Sequence, residues 1–201
     1  MLAETLAGYE NVELVFGDVL ALDLPQLVAE RFDGLRPVVC ANLPYYITSP
    51  VIMKLLEDRL PITSITVMVQ KEAAERLCAQ PGTRECGAVS AAVQYYAEPE
   101  ILFEVSRGSF MPAPNVDSAV IQLRIRKEPP VDVHDEALFF RVIRAAFAQR
   151  RKTAVNSISN TLHMSKQQVT DAFEQAGVRA NSRAEALTLP EFAAVVNQLA
   201  D

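Results

Sequence analysis

Asn42-Leu43-Pro44-Tyr45, preceded by Val38-Val39-Cys40-Ala41 and followed by Thr48-Ser49-Pro50, is the stretch from which the fold can be read. The apolar run ending on a small residue reads as a buried strand reaching the edge of a sheet. The Thr-Ser-Pro run predicts a helix start, with a hydroxyl cap and a proline in the first turn. Asn42 and Tyr45 then lie in the crevice outside the carboxyl end of a strand, where open α/β sheets bind ligands.

The chemistry available there is specific. Asn42 offers an amide oxygen, and Pro44, which has no N–H, leaves nearby backbone carbonyls without competition. Together they can accept both hydrogens of an exocyclic amine, while Tyr45 supplies a plane on which a flat base stacks. Such a site presents an amino group on a planar ring to an electrophile. The Asn-Leu-Pro-Tyr pattern resembles motif IV of the amino-methyltransferases that use S-adenosylmethionine. The same four residues also suit a plain strand-to-helix loop with a packed tyrosine.

Upstream, Leu2 to Tyr9 reads as a short helix, Asn11 to Phe16 as a short strand, Leu24 to Phe32 as a helix and Arg36 to Ala41 as the strand that delivers Asn42. Between them, Gly17-Asp18-Val19 puts an acid directly after a strand, where it can accept a hydrogen bond from an adenine amine; Gly-Asp is also an ordinary turn. Downstream, Ser49 to Leu60 has apolar residues at helical spacing, Ile62 to Val69 is a β-branched strand, and Gln70-Lys71-Glu72 opens a helix that runs to about Ala79. Gly87 to Tyr96 reads as helix, and Glu100 to Val105 and Ser118 to Ile125 read as strands. This alternation predicts an α/β fold with a largely parallel sheet. The loop from Arg107 to Pro114 is stiffened by Gly108, Pro112 and Pro114, and its aromatic Phe110 is either a plug against the core or a second stacking wall facing Tyr45.

Glu128-Pro129-Pro130 marks a composition shift and the expected domain boundary, with an α/β domain over residues 1–127 and a small all-α domain over 128–201. In the second domain, helices are expected over Asp135–Gln149, Lys152–Leu162 and from Ser165 to Gly177, the last with Gln168 completing a capping box. Thr188 and Glu191 form another box at the final helix.

Composition narrows the function classes. No apolar run approaches the roughly 20 residues of a membrane span, and there is no basic-then-apolar signal segment at the start. Cys40, Cys78 and Cys86 lack CxxC spacing and His134 and His163 are isolated, so neither disulfides nor a metal site is expected, and a reduced cytoplasmic setting is. The formal charge is −6, which argues against nucleic acid, but its distribution softens the objection. Residues 1–100 carry 14 acidic and 7 basic side chains, whereas residues 101–201 carry 11 and 12. From Ala137 to Thr170 the cations Arg141, Arg144, Arg150, Arg151, Lys152 and Lys166 occur with no acid. Charges farther away than about 8 Å are screened, so a local basic face binds phosphate even on an acidic protein.

Five stretches now match one family in order: Asn42-Leu43-Pro44-Tyr45, Val69-Gln70-Lys71-Glu72, Gln94-Tyr95-Tyr96, Phe110 to Val120 with Pro112, Pro114 and Val116-Asp117-Ser118-Ala119-Val120, and Gln149-Arg150-Arg151-Lys152-Thr153. The chain closely resembles the ribosomal RNA adenine dimethyltransferases from Asn11 onward. Its nearest branch is the bacterial one that dimethylates two adjacent adenines in a small-subunit rRNA hairpin. Leu43 and the Val116 to Val120 stretch favour that branch over the large-subunit resistance enzymes. The resemblance implies a Rossmann-like class I methyltransferase sheet, S-adenosylmethionine as cofactor, and small-subunit rRNA or the pre-ribosomal small subunit as partner. It assigns Asn42 with the Leu43 and Pro44 backbone to the target amine, and Tyr45 and Phe110 to the two faces of a flipped adenine. Asp18 and Val19, with Asn42, fall at cofactor positions. Lys71 and Arg107 border the RNA face, and Arg150, Arg151 and Lys152 match a basic rRNA-contacting segment.

One departure stands out. The family opens with a strand and a Gly-x-Gly loop, then a second strand ending in a ribose-binding acid, and the 7 glycines here include no such pair. The chain is expected to lack the first two strands of the sheet, leaving the Val38 strand with an unpaired apolar edge. On that expectation residues 1–20 rearrange, the chain self-associates through the edge, or it is only marginally stable. The alternative function is then rRNA binding without catalysis.

Overall fold

The computed structural model describes residues 2–200. Among these residues, one sheet forms from β1 (Val39–Asn42), β2 (Ser64–Gln70), β3 (Ala97–Val105) and β4 (Ser118–Ile125), in the order β1-β2-β4-β3. The helices are α1 (Leu2–Thr5), α2 (Leu24–Arg31), α3 (Thr48–Glu57), α4 (Lys71–Leu77), α5 (Ala88–Tyr96), α6 (Glu136–Phe147), α7 (Ala154–Leu162), α8 (Lys166–Gln175) and α9 (Leu189–Ala200).

The sheet is mixed, not largely parallel. β1 and β2 run parallel, whereas β4 is antiparallel to both β2 and β3. The cause is the loop after Val105, which turns the chain back on itself so that β4 fills the slot between β3 and β2. A hairpin return reverses strand direction, while a helical crossover preserves it. Register then stacks apolar side chains on one face, with Ile65 opposite Leu123, Val67 opposite Ile121 and Val69 opposite Ala119, all six buried. Ile52, Leu55 and Leu56 of α3, Leu77 of α4 and Val93 of α5 complete this core.

Three local expectations are corrected. Asn11 to Phe16 is irregular rather than a strand, with Phe16 78% exposed. A strand needs a ladder partner, and none lies beside it among the described residues. β1 likewise pairs only with β2 there, and Val38 just before it is 61% exposed. At α3 the hydroxyl cap does not form. Ile47 takes the cap position without a side-chain bond, and Thr48 Oγ1 donates backward to the Pro44 carbonyl at 3.4 Å. At α8, Ser165 Oγ accepts from the Gln168 backbone N–H at 3.1 Å, which is half of the expected box. At α9 the box is reciprocal between Thr188 and Glu191.

A second core lies among the last four helices, built on Phe139, Ile143, Ile158, Phe173, Phe192 and Val196. Burying each such side chain contributes roughly 1.5–3 kcal/mol. Helix α5 serves both cores: Ala91 and Tyr95 belong to the second, Val93 to the first, and Tyr96 packs against each. Aromatic contacts knit the junction, with Tyr96 stacked on Phe140 at 5.4 Å and 11° and Tyr95 edge-on to Phe140 at 5.0 Å.

Glu136, in the first turn of α6, sits at the centre of the polar contacts there. The Arg59 guanidinium donates to both its carboxylate oxygens, Tyr95 donates at 3.0 Å, and Tyr96 makes a long 3.4 Å contact. Burial, followed by the neighbouring Glu136, pushes both tyrosine hydroxyls up to about 12, so they remain donors. For Glu136, burial opposes ionisation, but the hydrogen bonds from Arg59 and Tyr95 outweigh it and hold the carboxyl below its usual range. A depressed carboxylate stabilises the fold above its unfolded pKa and stops doing so as pH falls through the folded one. Thermal melts should therefore show a gap between wild type and Glu136→Gln that is steady from about pH 7 to 5 and closes below about pH 4. An unchanged gap at acid pH would exclude the ionised carboxylate as its source.

Candidate active site

Register gathers the candidate residues at one end of the sheet. Asn42 ends β1 opposite Met68, Gln70 ends β2 opposite Ser118, and Ser118 begins β4 opposite Val105 of β3. The segments leaving that end carry Leu43 to Tyr45, Lys71 at the start of α4, and Arg107 to Phe110.

The Asn42 side chain is exposed and makes no hydrogen bond among the described residues. Its neighbour Leu43 is buried at 8% and donates its backbone N–H to the Met68 carbonyl at 3.3 Å, extending the parallel ladder by one residue. The Pro44 carbonyl, expected to be open, is taken: it accepts from Ile47 N–H at 3.1 Å and from Thr48 Oγ1 at 3.4 Å. Two donors occupy its two lone pairs. The Leu43 carbonyl accepts no bond from the described residues and is the open partner to the Asn42 amide.

Tyr45, half-buried, shares a 2.8 Å hydrogen bond between its hydroxyl and that of Ser118, which is fully buried. Its ring is thereby anchored at the far end. Phe110 follows a short helical turn, Arg107–Ser109, and is half-buried, with no direct ring contact to Tyr45. Asp117 braces that turn, its carboxylate accepting from the Arg107 N–H at 2.9 Å and its carbonyl from the Lys71 N–H at 3.0 Å. Lys71 and Arg107 both line an open cleft of about 500 Å³ with Gln70, Glu72, Glu75, Asn115, Val116 and Asp117. Lys71 pairs with Glu104 at 2.8 Å, and that hydrogen bond raises the lysine's pKa, so it stays cationic.

The other two cofactor candidates, Asp18 and Val19, precede α2. Asp18 is exposed in a turn, with Oδ1 accepting from the Leu20 N–H at 2.9 Å and Oδ2 making no bond among the described residues. Val19 packs against the sheet core. The free Asp18 oxygen and the free Asn42 amide suit the adenine end and the methyl end of S-adenosylmethionine. No glycine pair offers a backbone cradle for its charged amino-acid end. Among the described residues no cluster of three His, Cys, Asp or Glu could hold a metal, and no helix is long and apolar enough to cross a membrane.

Arg150, Arg151 and Lys152 are exposed in the turn between α6 and α7, and Thr153 Oγ1 caps α7 by accepting from Asn156 N–H. The Arg150 guanidinium donates to the Arg84 carbonyl at 2.7 Å, which brings the loop before α5 against this segment. Sequence reasoning missed Arg84, Asp117 as a brace and Ser118 as an anchor. Arg84 carries no local signal, and Asp117 and Ser118 stand where a loop simply enters a strand.

The family model for ribosomal RNA adenine dimethylase matches residues 1–201. The chain is 50% identical over 203 residues to ribosomal RNA small subunit methyltransferase A of Geobacillus thermodenitrificans, covering 99% of this chain and 69% of that protein. It is 45% identical over 201 residues to the protein of the same name in Alkaliphilus metalliredigens, covering 100% of this chain and 70% of that one. Among solved structures, a dimethyladenosine transferase from Plasmodium falciparum superposes with a TM-score of 0.73 at 23% identity, covering 95% of this chain and 73% of that one. The 23S rRNA methyltransferase ErmE does so at 0.67 and 24%, covering 100% and 77%. These structures share the fold, an α/β sheet with helices beyond it. The chain belongs to the ribosomal RNA adenine dimethylase family.

The geometry separates the roles of two neighbours. Asn42→Ala removes an exposed, unpartnered amide and should shift unfolding free energy by less than about 0.5 kcal/mol. Tyr45→Phe strands a buried Ser118 hydroxyl and should cost about 1–3 kcal/mol. Urea melts of the two variants provide the comparison, and equal losses would contradict these placements.

Proposed function

We propose that this chain methylates the N6 amine of two adjacent adenines in a small-subunit rRNA hairpin, during ribosome assembly in the cytoplasm. The observation that carries the reading is the pairing, at the carboxyl end of β1, of an unpartnered Asn42 amide with an open Leu43 carbonyl beside an anchored Tyr45 ring. S-adenosylmethionine, when bound, would supply an electrophilic methyl group, with Asp18, Val19 and Asn42 as the residues that hold it.

The chain's own residues prepare the nucleophile. An adenine amine is a poor one because its lone pair is delocalised into the ring. Accepting both amine hydrogens at Asn42 and Leu43 favours a pyramidal nitrogen with a localised pair. Tyr45 on one face and Phe110 on the other hold the base, so positioning supplies much of the rate. Pro44 fixes the chain direction between Asn42 and Tyr45. The base must leave its stack, at a cost of a few kcal/mol that is smaller in a loop. Residues 128–201 serve as the rRNA-recognition domain, with Arg150, Arg151 and Lys152 on the phosphates and Lys71 and Arg107 beside the flipped base. Among the described residues β1 pairs on one side only, and with the exposed Val38 this edge gives a route to self-association.

A second reading is rRNA binding without transfer, carried by the exposed Arg150, Arg151 and Lys152. Titration with S-adenosylmethionine is expected to show binding weaker than micromolar. With unmethylated small subunits as substrate, Asn42→Ala should lower methyl transfer by at least about 100-fold while leaving rRNA affinity unchanged. No transfer by the wild-type chain at saturating cofactor, with rRNA binding intact, selects the second reading. Replacing Arg150, Arg151 and Lys152 together by alanine should weaken rRNA binding and reduce the slope of log K against log salt by about 2–3. An unchanged slope would remove this segment from the interface.

A further inference from the structure

We propose that Asp117 and Ser118 are paired positioning residues that set both stacking walls of the adenine site from one strand end. The proposal rests on the adenine-methylating reading above. Asp117 is exposed and Ser118 is buried, and each acts on the site through a residue that it holds.

Ser118 is the first residue of β4, fully buried, and locked in register with Gln70 on one side and Val105 on the other. The buried hydroxyl meets the Tyr45 hydroxyl at 2.8 Å. Tyr45 itself lies in a one-turn 3₁₀ segment, Tyr45–Ile47, that lacks a side-chain cap. Such short segments are held weakly by their own backbone. The hydroxyl contact therefore tethers the outer tip of the ring to the sheet across 73 residues of chain.

Asp117 does the same for the other wall. Its carboxylate accepts the Arg107 N–H at 2.9 Å, its carbonyl accepts the Lys71 N–H at 3.0 Å, and the Arg107 carbonyl accepts the Phe110 N–H at 3.3 Å. Phe110 is thus referred to Asp117 as Tyr45 is to Ser118, and the two anchors are neighbours in the chain. The gap between the walls is set by a dipeptide whose position the β2–β4–β3 ladder fixes. A flat base enters a slot whose width does not have to be established on binding.

The test uses the full chain and a small-subunit rRNA hairpin carrying 8-vinyladenine, a fluorescent adenine that keeps its 6-amine, in place of one of the two adjacent adenines. Anisotropy reads affinity and probe quenching reads stacking. Ser118→Ala and Tyr45→Phe should each reduce the ratio of stacked to unstacked probe about fivefold, the scale set by one hydrogen bond, with affinity within about twofold, since the phosphate contacts that dominate it are untouched. The double variant should be no worse than either single one. Asp117→Ala should also lose quenching, and Asp117→Asn, which keeps an acceptor for the Arg107 N–H, should restore it. Multiplying effects of Ser118→Ala and Tyr45→Phe, or full quenching by Ser118→Ala, would overturn the proposal. Absence of quenching by the wild-type chain would instead overturn the function it rests on, and the proposal with it. Because the wild type reports on the function and the variants on the positioning, the two failures are distinguishable.

Discussion

Strand β4 hydrogen-bonds on both sides, to β2 over Ser64–Gln70 and to β3 over Ala97–Val105, and most of the molecule depends on that double ladder. It brings Ala119, Ile121 and Leu123 over the β2 side chains that form the first core. In the same register it puts Ser118 beneath Tyr45 and Asp117 beside Arg107 and Lys71. Side chains alternate faces along a strand, so a slip of one residue would expose the core residues and turn the Ser118 hydroxyl away. Packing and site geometry are thus fixed by a single constraint, and the packing energy of the sheet holds the site in shape.

Polar groups divide sharply by burial. Thr48, Ser90, Ser118 and Ser157 are buried, and each has a hydrogen-bond partner, as burial without one costs about 1–3 kcal/mol. Asn42 is exposed and unpartnered, which costs the free protein little because water satisfies the amide. A ligand amine would displace that water. The anchored groups give shape and the unpartnered ones give recognition, and both kinds occur within a few residues at the end of β1.

The two cores are joined by α5, whose Tyr95 and Tyr96 stack among Phe139 and Phe140 and bond Glu136. The contact is partly exposed, so its ionic part is screened and the aromatic packing contributes more. The acidic balance of residues 1–100 and the acid-free run from Ala137 to Thr170 lie largely on opposite sides of this joint in sequence. An acidic protein can in this way present a cationic surface to a polyanion, because screening makes only nearby charges count.

Most elements were legible from local signals: β-branched runs for β2 and β4, helical spacing in α3, and the Thr188–Glu191 box at α9. Local signals suffice there because the periodicity of a segment reports the face it buries. Asn42 and Tyr45 were legible for a related reason, since they lie in one short stretch with a recognisable chemistry. The antiparallel placement of β4 was not, because strand direction depends on which partner the chain returns to. Asn11 to Phe16 has strand composition but no partner beside it among the described residues, and composition does not supply one. The occupied Pro44 carbonyl, the Ser118 anchor and the approach of Arg84 to Arg150 all join residues through contacts that sequence spacing does not encode. Residue chemistry and pattern were fixed by the sequence alone; which acceptors stayed free, and what held the tyrosine, was decided only when the sheet closed around β4.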